Sequence, residues 1–275
     1  MINTDTKLVG LLGDPVAHSL SPLMHNSAFR TLGLNYRYLA FKVSTQDLSK
    51  AIEGIRGLGL RGANITIPYK QAVLPMLDEV DIQAKRIGAV NTIINEGGRL
   101  KGYNTDTTGF LAALKGFGFN PKGQKTVILG AGGVARAIAF ALNKAGASVS
   151  IINRSLSTAQ ALAGETGATV FECTEGGYGA ALTGASLLVN ATSLGMIPED
   201  PSPLPSGMLL PGTMVFDTVY RPRQTRLLKE AEAAGCVAIG GLEMLIEQGA
   251  LAFELWTGQN APRQVMRQVV HEALL

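Results

Sequence analysis

Residues 125–137 read KTVILGAGGVARA: an apolar run, then Gly130, Gly132 and Ala135 in the spacing GxGxxA, then a helical pattern. Each position answers a need of pyrophosphate binding. Gly130 permits a tight turn, Gly132 lets a phosphate approach the backbone, and the small Ala135 allows close helix–strand packing. Free N–H groups and the helix dipole then favour an anion. With a strand before it, a helix after it and a second strand ending near Asn153, the turn predicts dinucleotide binding. That second strand runs into Asn153-Arg154-Ser155. A site for NAD usually places an acid there to accept from the ribose 2′-OH. A carboxylate would repel a 2′-phosphate, whereas a guanidinium grips it in a bidentate fork, so NADP is the expected cofactor.

A second constellation precedes it. Asn64-Ile-Thr66-Ile-Pro68-Tyr-Lys70 sets polar residues at the end of an apolar strand and Pro68 near an expected helix start, with Lys70 in or near its first turn. Strand C-termini of open parallel sheets are where ligands bind. Ser19-Leu20-Ser21-Pro22 opens another helix, and Ser21 at N-cap with Pro22 at N1 accounts for both structurally; two hydroxyls at a helix N-terminus also suit a carboxylate. Gly88-Ala-Val-Asn91-Thr92 adds a buried-looking Asn, and Asn104-Thr-Asp106-Thr-Thr-Gly109 reads as a helix start with Asp106 as cap. Taken singly, Lys70 is a solvated cation and Asp106 a cap.

Positioning these residues takes many short elements. Apolar runs expected as strands are Leu8–Leu12, Tyr36–Val43, Ala63–Thr66, Thr126–Leu129, Ser148–Ile152, Leu187–Asn190, Met214–Asp217 and Val237–Ile239. Amphipathic patterns between them include Asp47–Arg56, Thr107–Gly116, Val134–Lys144, Ser157–Glu165 and Thr225–Ala234. Such alternation predicts βαβ units and mostly parallel sheets in an α/β fold. The Pro-rich stretch Ile197–Pro211 reads as a surface loop. After Gly241 two helical patterns, Leu242–Trp256 and Pro262–Leu274, follow without a strand, and their apolar faces need a surface to cover. The chain has 275 residues, which favours two domains. The expected division is 1–105 plus 242–275, and 106–241. Hydrophobic residues at 46% exclude a disordered chain, and a net charge of +3 without a concentrated patch argues against nucleic-acid binding. Two cysteines without ligand spacing predict neither a disulfide framework nor a metal site. No apolar run approaches a membrane span, and the first residues carry no basic-then-apolar signal pattern, so a cytoplasmic location is expected.

In this order, SLSP, NITIPYK, GAVNT, GYNTDTTG, GAGGVARA, NRS, NATSLGM, DTVY and GGLEMLIEQ resemble one family, shikimate dehydrogenase, from Gly10 to Trp256. The resemblance implies two α/β domains around a cleft, the second a Rossmann-type doubly wound parallel sheet, with the terminal helices folded back on the first. It implies reduction of 3-dehydroshikimate to shikimate with NADPH, in a monomer or homodimer with a small-molecule substrate. Ser19 and Ser21, with Tyr220 nearby, would hold the substrate carboxylate. Thr66, Lys70, Asn91, Asp106 and Gln248 would hold its hydroxyls and carbonyl, and Lys70 and Asp106 match the catalytic pair. Hydride delivery to a ketone leaves a developing alkoxide, which needs a proton and a positive charge; Lys70, alone or with Asp106, would supply the proton. Gly130, Ala131, Gly132, Gly133, Val134 and Ala135 would form the pyrophosphate turn, and Asn153, Arg154 and Ser155 the 2′-phosphate pocket. Thr192, Val219 and Gly241 would lie beside the cofactor. Some members carry a second basic residue where Thr158 stands, a departure that bears on the strength of NADP preference and not its direction. Two rivals are an NAD-preferring quinate/shikimate dehydrogenase, which would carry an acid where Ser155, Leu156 and Ser157 stand, and a non-catalytic NADP-binding regulator, which would not need Lys70 and Asp106 together.

Overall fold

Short β-branched and aliphatic runs form the central strands here because both faces of the sheet are covered there: Gly62–Ile65, Leu187–Asn190 and Met214–Asp217 are buried at every position, whereas Tyr36–Lys42 at a sheet edge is largely exposed. A computed structural model of the chain describes residues 2–274. They divide into two compact units, residues 2–109 with Ile246–Ala273, and Phe110–Leu245 with Leu274.

The first unit contains β1 (Lys7–Gly13), α1 (Ser21–Thr31), β2 (Tyr36–Lys42), α2 (Leu48–Gly57), β3 (Gly62–Ile65), β4 (Glu79–Val80), α3 (Ile82–Ile87), β5 (Thr92–Glu96), β6 (Arg99–Tyr103) and the first turn of α4 (Asp106–Gly116). Its sheet runs β2-β1-β3-β5-β6-β4. Pairing is parallel from β2 through β1 to β3 and antiparallel from β3 to β5 and β5 to β6. Strand β4 pairs with β6 in parallel, so three of the five pairings in this sheet are parallel, as expected of mostly parallel sheets, and the antiparallel pairings lie on the two sides of β5. Strands β5 and β6 form a hairpin whose turn residues, Gly97 and Gly98, both have positive φ (64° and 95°), the requirement of the tight turn that matches strand twist.

The second unit contains β7 (Lys125–Leu129), α5 (Gly133–Lys144), β8 (Ser148–Ile152), α6 (Leu156–Thr166), β9 (Thr169–Phe171), α7 (Glu175–Leu182), β10 (Leu187–Asn190), β11 (Met214–Asp217), α8 (Arg226–Ala233) and β12 (Val237–Gly240). All pairs are parallel and the order is β12-β11-β10-β7-β8-β9. This is the doubly wound Rossmann order, with its switch point between β7 and β10. Residues between β10 and β11 hold no regular element, as expected of the Pro-rich stretch, although Leu204 within it is buried.

Helices α9 (Leu242–Thr257) and α10 (Arg263–Glu272) end the chain, and residues from Ile246 onward belong to the first unit apart from Leu274. The unit boundaries fall inside α4 and α9, four residues beyond the expected 105/106 and 241/242 divisions. Asp106 therefore stands with the first unit. There α10 packs against α1. Trp256 of α9 is fully buried and donates Nε1–H to the Ile93 carbonyl at 2.9 Å.

Beside it lies an unusual histidine. His25 of α1 is wholly buried, stacks on Tyr38 at 4.5 Å between ring centroids, and lies near Phe29, Phe253 and Trp256. Neither ring nitrogen has a hydrogen-bond partner among the described residues. Burial pushes its pKa from 6.5 down to about 3. The folded chain thus refuses a proton that the unfolded chain accepts, so the stabilisation is complete above pH 6.5 and is lost as pH falls towards 3. His25→Phe is predicted to flatten the melting temperature between pH 7 and pH 5 relative to the unsubstituted protein. Equal losses of melting temperature in both would contradict it.

Candidate functional site

In the first unit the polar residues converge at the ends of β3 and β5. Lys70 is only 9% exposed and donates from Nζ to Asp106 Oδ2 at 2.6 Å. No helix begins at Pro68. Lys70 lies in an irregular turn, which corrects the expected helical placement, and its backbone carbonyl is held. Its carbonyl accepts from Val90 N–H at 2.7 Å, and the adjoining Tyr69 is buried with its hydroxyl on the Val43 carbonyl at 2.7 Å. Without helical neighbours, the ammonium escapes the dipole penalty of a helix N-terminus.

Asp106 opens α4 without capping it. The Asn104 side chain does that work instead, accepting from Asp106 N–H at 3.1 Å and Thr107 N–H at 3.4 Å. The Asp106 carboxylate is left to Lys70 and Asn91. The orientation of the Asn91 amide is decided by its surroundings. Its Oδ1 accepts from Thr105 N–H at 2.8 Å and the Thr92 hydroxyl at 3.0 Å. Its Nδ2 therefore points at Asp106 Oδ1 and Thr105 Oγ1, both at 2.9 Å, and at Gln248 Oε1 at 3.4 Å. Behind it, Asn64 donates to Thr92 Oγ1 at 3.0 Å and accepts from the Tyr38 hydroxyl at 2.8 Å. Gln248 reaches Asn91 because α9 comes close to α4 at Gly109, where a Cβ would sit 2.7 Å from the Gln248 amide nitrogen.

Ser21 is buried as the first residue of α1, whose cap position is Leu20, and no side chain caps that helix. The expected Ser21 cap is thus corrected, and its hydroxyl is not committed to the helix. Ser19 is half-buried and its Oγ accepts from Ser21 N–H at 3.2 Å. Thr66 is half-buried just past β3, with its methyl group facing Gly13. Tyr220 belongs to the second unit.

In the second unit, Gly130 leaves β7 with φ +108° and donates its N–H to the Ile152 carbonyl at 2.8 Å. A Cβ on Gly130 would press on the Ala191 carbonyl, whereas the space beside Gly132 is open. Helix α5 begins at Gly133 with no side-chain cap, so its first N–H groups face outward without a built-in acceptor. Ala131 and Ala135 are buried and Val134 is partly so. An open glycine, an uncapped helix start and a small residue at the helix–strand contact fit a pyrophosphate. Arg154 is exposed after β8. Asn153 Nδ2 donates to the Ser155 carbonyl at 3.0 Å, and Ser155 caps α6, with Thr158 Oγ1 2.8 Å from its hydroxyl. Among the described residues no group of His, Cys, Asp or Glu could hold a metal, and no helix is long and apolar enough to cross a membrane.

The motifs NATSLGM and DTVY contain two residues that reading by type passed over. Asn190 ends β10 and Asp217 ends β11, both fully buried, with Asn190 Nδ2 donating to Asp217 Oδ1 at 2.9 Å. Burial pushes the Asp217 carboxyl above its ordinary value, against the pull of hydrogen bonds from Thr225, Val219 and Asn190. Thr105 and Thr92 were likewise not singled out as site residues, because neutral polar side chains carry no spacing signal.

The parallel order with a GxGxxA turn at its switch point places the second unit among the dinucleotide-binding α/β proteins. The chain belongs to the shikimate dehydrogenase family. Residues 11–93 match the shikimate dehydrogenase substrate binding domain, 112–194 match shikimate / quinate 5-dehydrogenase, and 241–271 match the shikimate 5′-dehydrogenase C-terminal domain. A relative from Moorella thermoacetica, named shikimate dehydrogenase (NADP(+)), is 50% identical over 99% of this chain and 95% of its own. The crystal structure of shikimate dehydrogenase from Aquifex aeolicus has a TM-score of 0.93 at 40% identity, covering 98% of this chain and 99% of that one. Shikimate 5-dehydrogenase from Thermus thermophilus, solved with NADP(H) and shikimate, has a TM-score of 0.90 at 44% identity over 98% and 100%.

Asn91→Leu keeps the volume but leaves the buried Thr105 N–H and Asp106 Oδ1 without this partner. It is predicted to lower unfolding stability by about 2–4 kcal/mol, read from urea denaturation. An unchanged midpoint would show that the amide contributes nothing there.

Proposed function

We propose that the protein catalyses the reversible NADPH-dependent reduction of 3-dehydroshikimate to shikimate. The observation that carries this reading is the buried Lys70–Asp106 pair, 2.6 Å apart and ringed by neutral hydrogen-bonding side chains. When bound, NADPH supplies the hydride. The Lys70 ammonium donates a proton to the carbonyl oxygen as negative charge develops there, and takes it back in the reverse direction. Asp106 orients the ammonium through Oδ2, while Asn91 holds Oδ1 and keeps the carboxylate from rotating. Residues 1–105 with 242–275, and Asp106 with them, serve the substrate: Ser19 and Ser21 its carboxylate with Tyr220, and Thr66, Asn91 and Gln248 its hydroxyls. The remaining segment up to Gly241 serves NADP, with the Gly130–Ala135 turn on the pyrophosphate, Asn153, Arg154 and Ser155 on the 2′-phosphate, and Thr192, Val219 and Gly241 on the nicotinamide half. The enzyme works in the cytoplasm as a monomer or homodimer.

Lys70→Ala is predicted to cut turnover by ~10²-fold or more while NADP binding stays within ~2-fold by calorimetry, a change below 1 kcal/mol. Near-normal turnover would remove Lys70 from the acid/base role. Arg154→Ala should weaken NADP by ~10-fold, about 1.4 kcal/mol, and leave NAD unchanged. Equal losses for the two cofactors in steady-state assays would show that Arg154 does not read the 2′-phosphate.

A further inference from the structure

Asp217 is a fully buried carboxylate with no ion pair among the described residues, a costly arrangement unless each oxygen is hydrogen-bonded. Three donors converge on it. Oδ1 accepts from Asn190 Nδ2 at 2.9 Å and Val219 N–H at 3.0 Å, and Oδ2 accepts from the Thr225 hydroxyl at 2.6 Å. An amide in its place would keep one acceptor oxygen, and the Thr225 hydroxyl would have to turn from donor to acceptor to meet the amide N–H.

The hydrogen bonds lead outward to three strand ends. Asn190 Oδ1 accepts from Thr192 N–H at 3.1 Å and the Thr192 hydroxyl at 2.7 Å, so the turn after β10 is folded over the Asn190 amide. Val219 follows β11, and its carbonyl accepts from Gly241 N–H at 3.3 Å, just past β12. Thr225 caps α8 through Leu228 N–H at 3.3 Å. One buried carboxylate therefore registers the C-terminal ends of β10, β11 and β12. In a doubly wound sheet a dinucleotide lies across such ends, one mononucleotide on each half. The β7–α5–β8 half carries the glycine turn and Arg154, which leaves the β10–β12 half for the nicotinamide.

We propose that Asp217 and Asn190 are positioning residues that hold Thr192, Val219 and Gly241 in place for the nicotinamide half of the cofactor. This rests on the NADP-dependent dehydrogenase reading above. Neither residue needs to touch the cofactor. The effect comes from misplacement, because displacing a reacting group by about 1 Å costs up to ~10²-fold in rate.

The test uses the full-length enzyme and a probe for each half of the cofactor. In Asp217→Asn, the Kd of adenosine 2′,5′-bisphosphate by calorimetry is expected to stay within ~2-fold, while the Kd of NADPH by nicotinamide fluorescence rises ~10-fold. The kcat is expected to fall ~10- to 100-fold. Thr225→Ala and Thr225→Ser form a second pair that decides the question if Asp217→Asn does not fold. The Ala variant should lose kcat with adenosine 2′,5′-bisphosphate binding intact, and the Ser variant, which keeps the hydroxyl, should recover most of it. Unchanged kcat and NADPH affinity, parallel weakening of both probes, or a Ser variant no better than Ala overturns the proposal. A parent enzyme inactive with NADP and shikimate overturns the functional reading itself, whereas an active parent with any of those outcomes overturns the positioning role alone.

Discussion

A lysine ammonium and an aspartate carboxylate face each other at 2.6 Å, at 9% and 4% exposure, on segments 36 residues apart. Removing two charges from water costs more than their attraction returns unless the remaining lone pairs and protons are satisfied. Much of the first unit is arranged to meet that condition. Asn91 supplies a donor to the second carboxylate oxygen, and Thr105 and Thr92 hold the Asn91 amide in the orientation that allows it. Asn64 and Tyr38 extend the chain of bonds from β3 to β2. Every other member of this network is neutral, so no third charge within it competes for the ammonium or the carboxylate.

The second unit solves a different problem by a related means. Its task is to leave donors open, not to satisfy them: α5 starts without a side-chain cap and the space beside Gly132 is empty of protein atoms. Such an end costs little while it faces water and gains when an anion arrives. The other half of the same sheet is locked. There Asp217, Asn190 and Thr225 satisfy one another in the interior, and rigidity at the strand ends follows from the price of leaving any of them unpaired.

The first unit also depends on the chain returning to it. Trp256 and Phe253 come from α9, more than two hundred residues after the α1 residues His25 and Phe29 that they pack against. The aromatic stack is built around an imidazole that must remain neutral, which ties the integrity of this core to pH. Gly109 and Gly249 allow the approach, since a Cβ at either would overlap Gln248 or Met24. The same approach brings Gln248 to the Asn91 amide.

How much of this could be read from the chain depends on the kind of signal. The strands Leu187–Asn190 and Met214–Asp217 were legible to the residue, because parallel strands buried on both faces are near-continuous apolar runs, and Ser148–Ile152 was legible from its β-branched Val149, Ile151 and Ile152. The glycine turn was legible because a backbone requirement leaves a residue-type signature, and the motif set placed the chain in its family. The hairpin of β5 and β6 was not, since TIINE and RLKGY are short and partly polar. Local chemistry also misassigned Ser21 and Asp106 to helix caps, when Leu20 occupies one cap position and Asn104 performs the other capping. The meeting of Asn64 with Thr92 depends on antiparallel register between β3 and β5. Sequence by itself determined the periodicities, the turn and the residue types available. Tertiary structure alone decided which neutral side chains share a hydrogen bond, because register is set by burying both faces of a sheet and leaves no local trace in the residues it pairs.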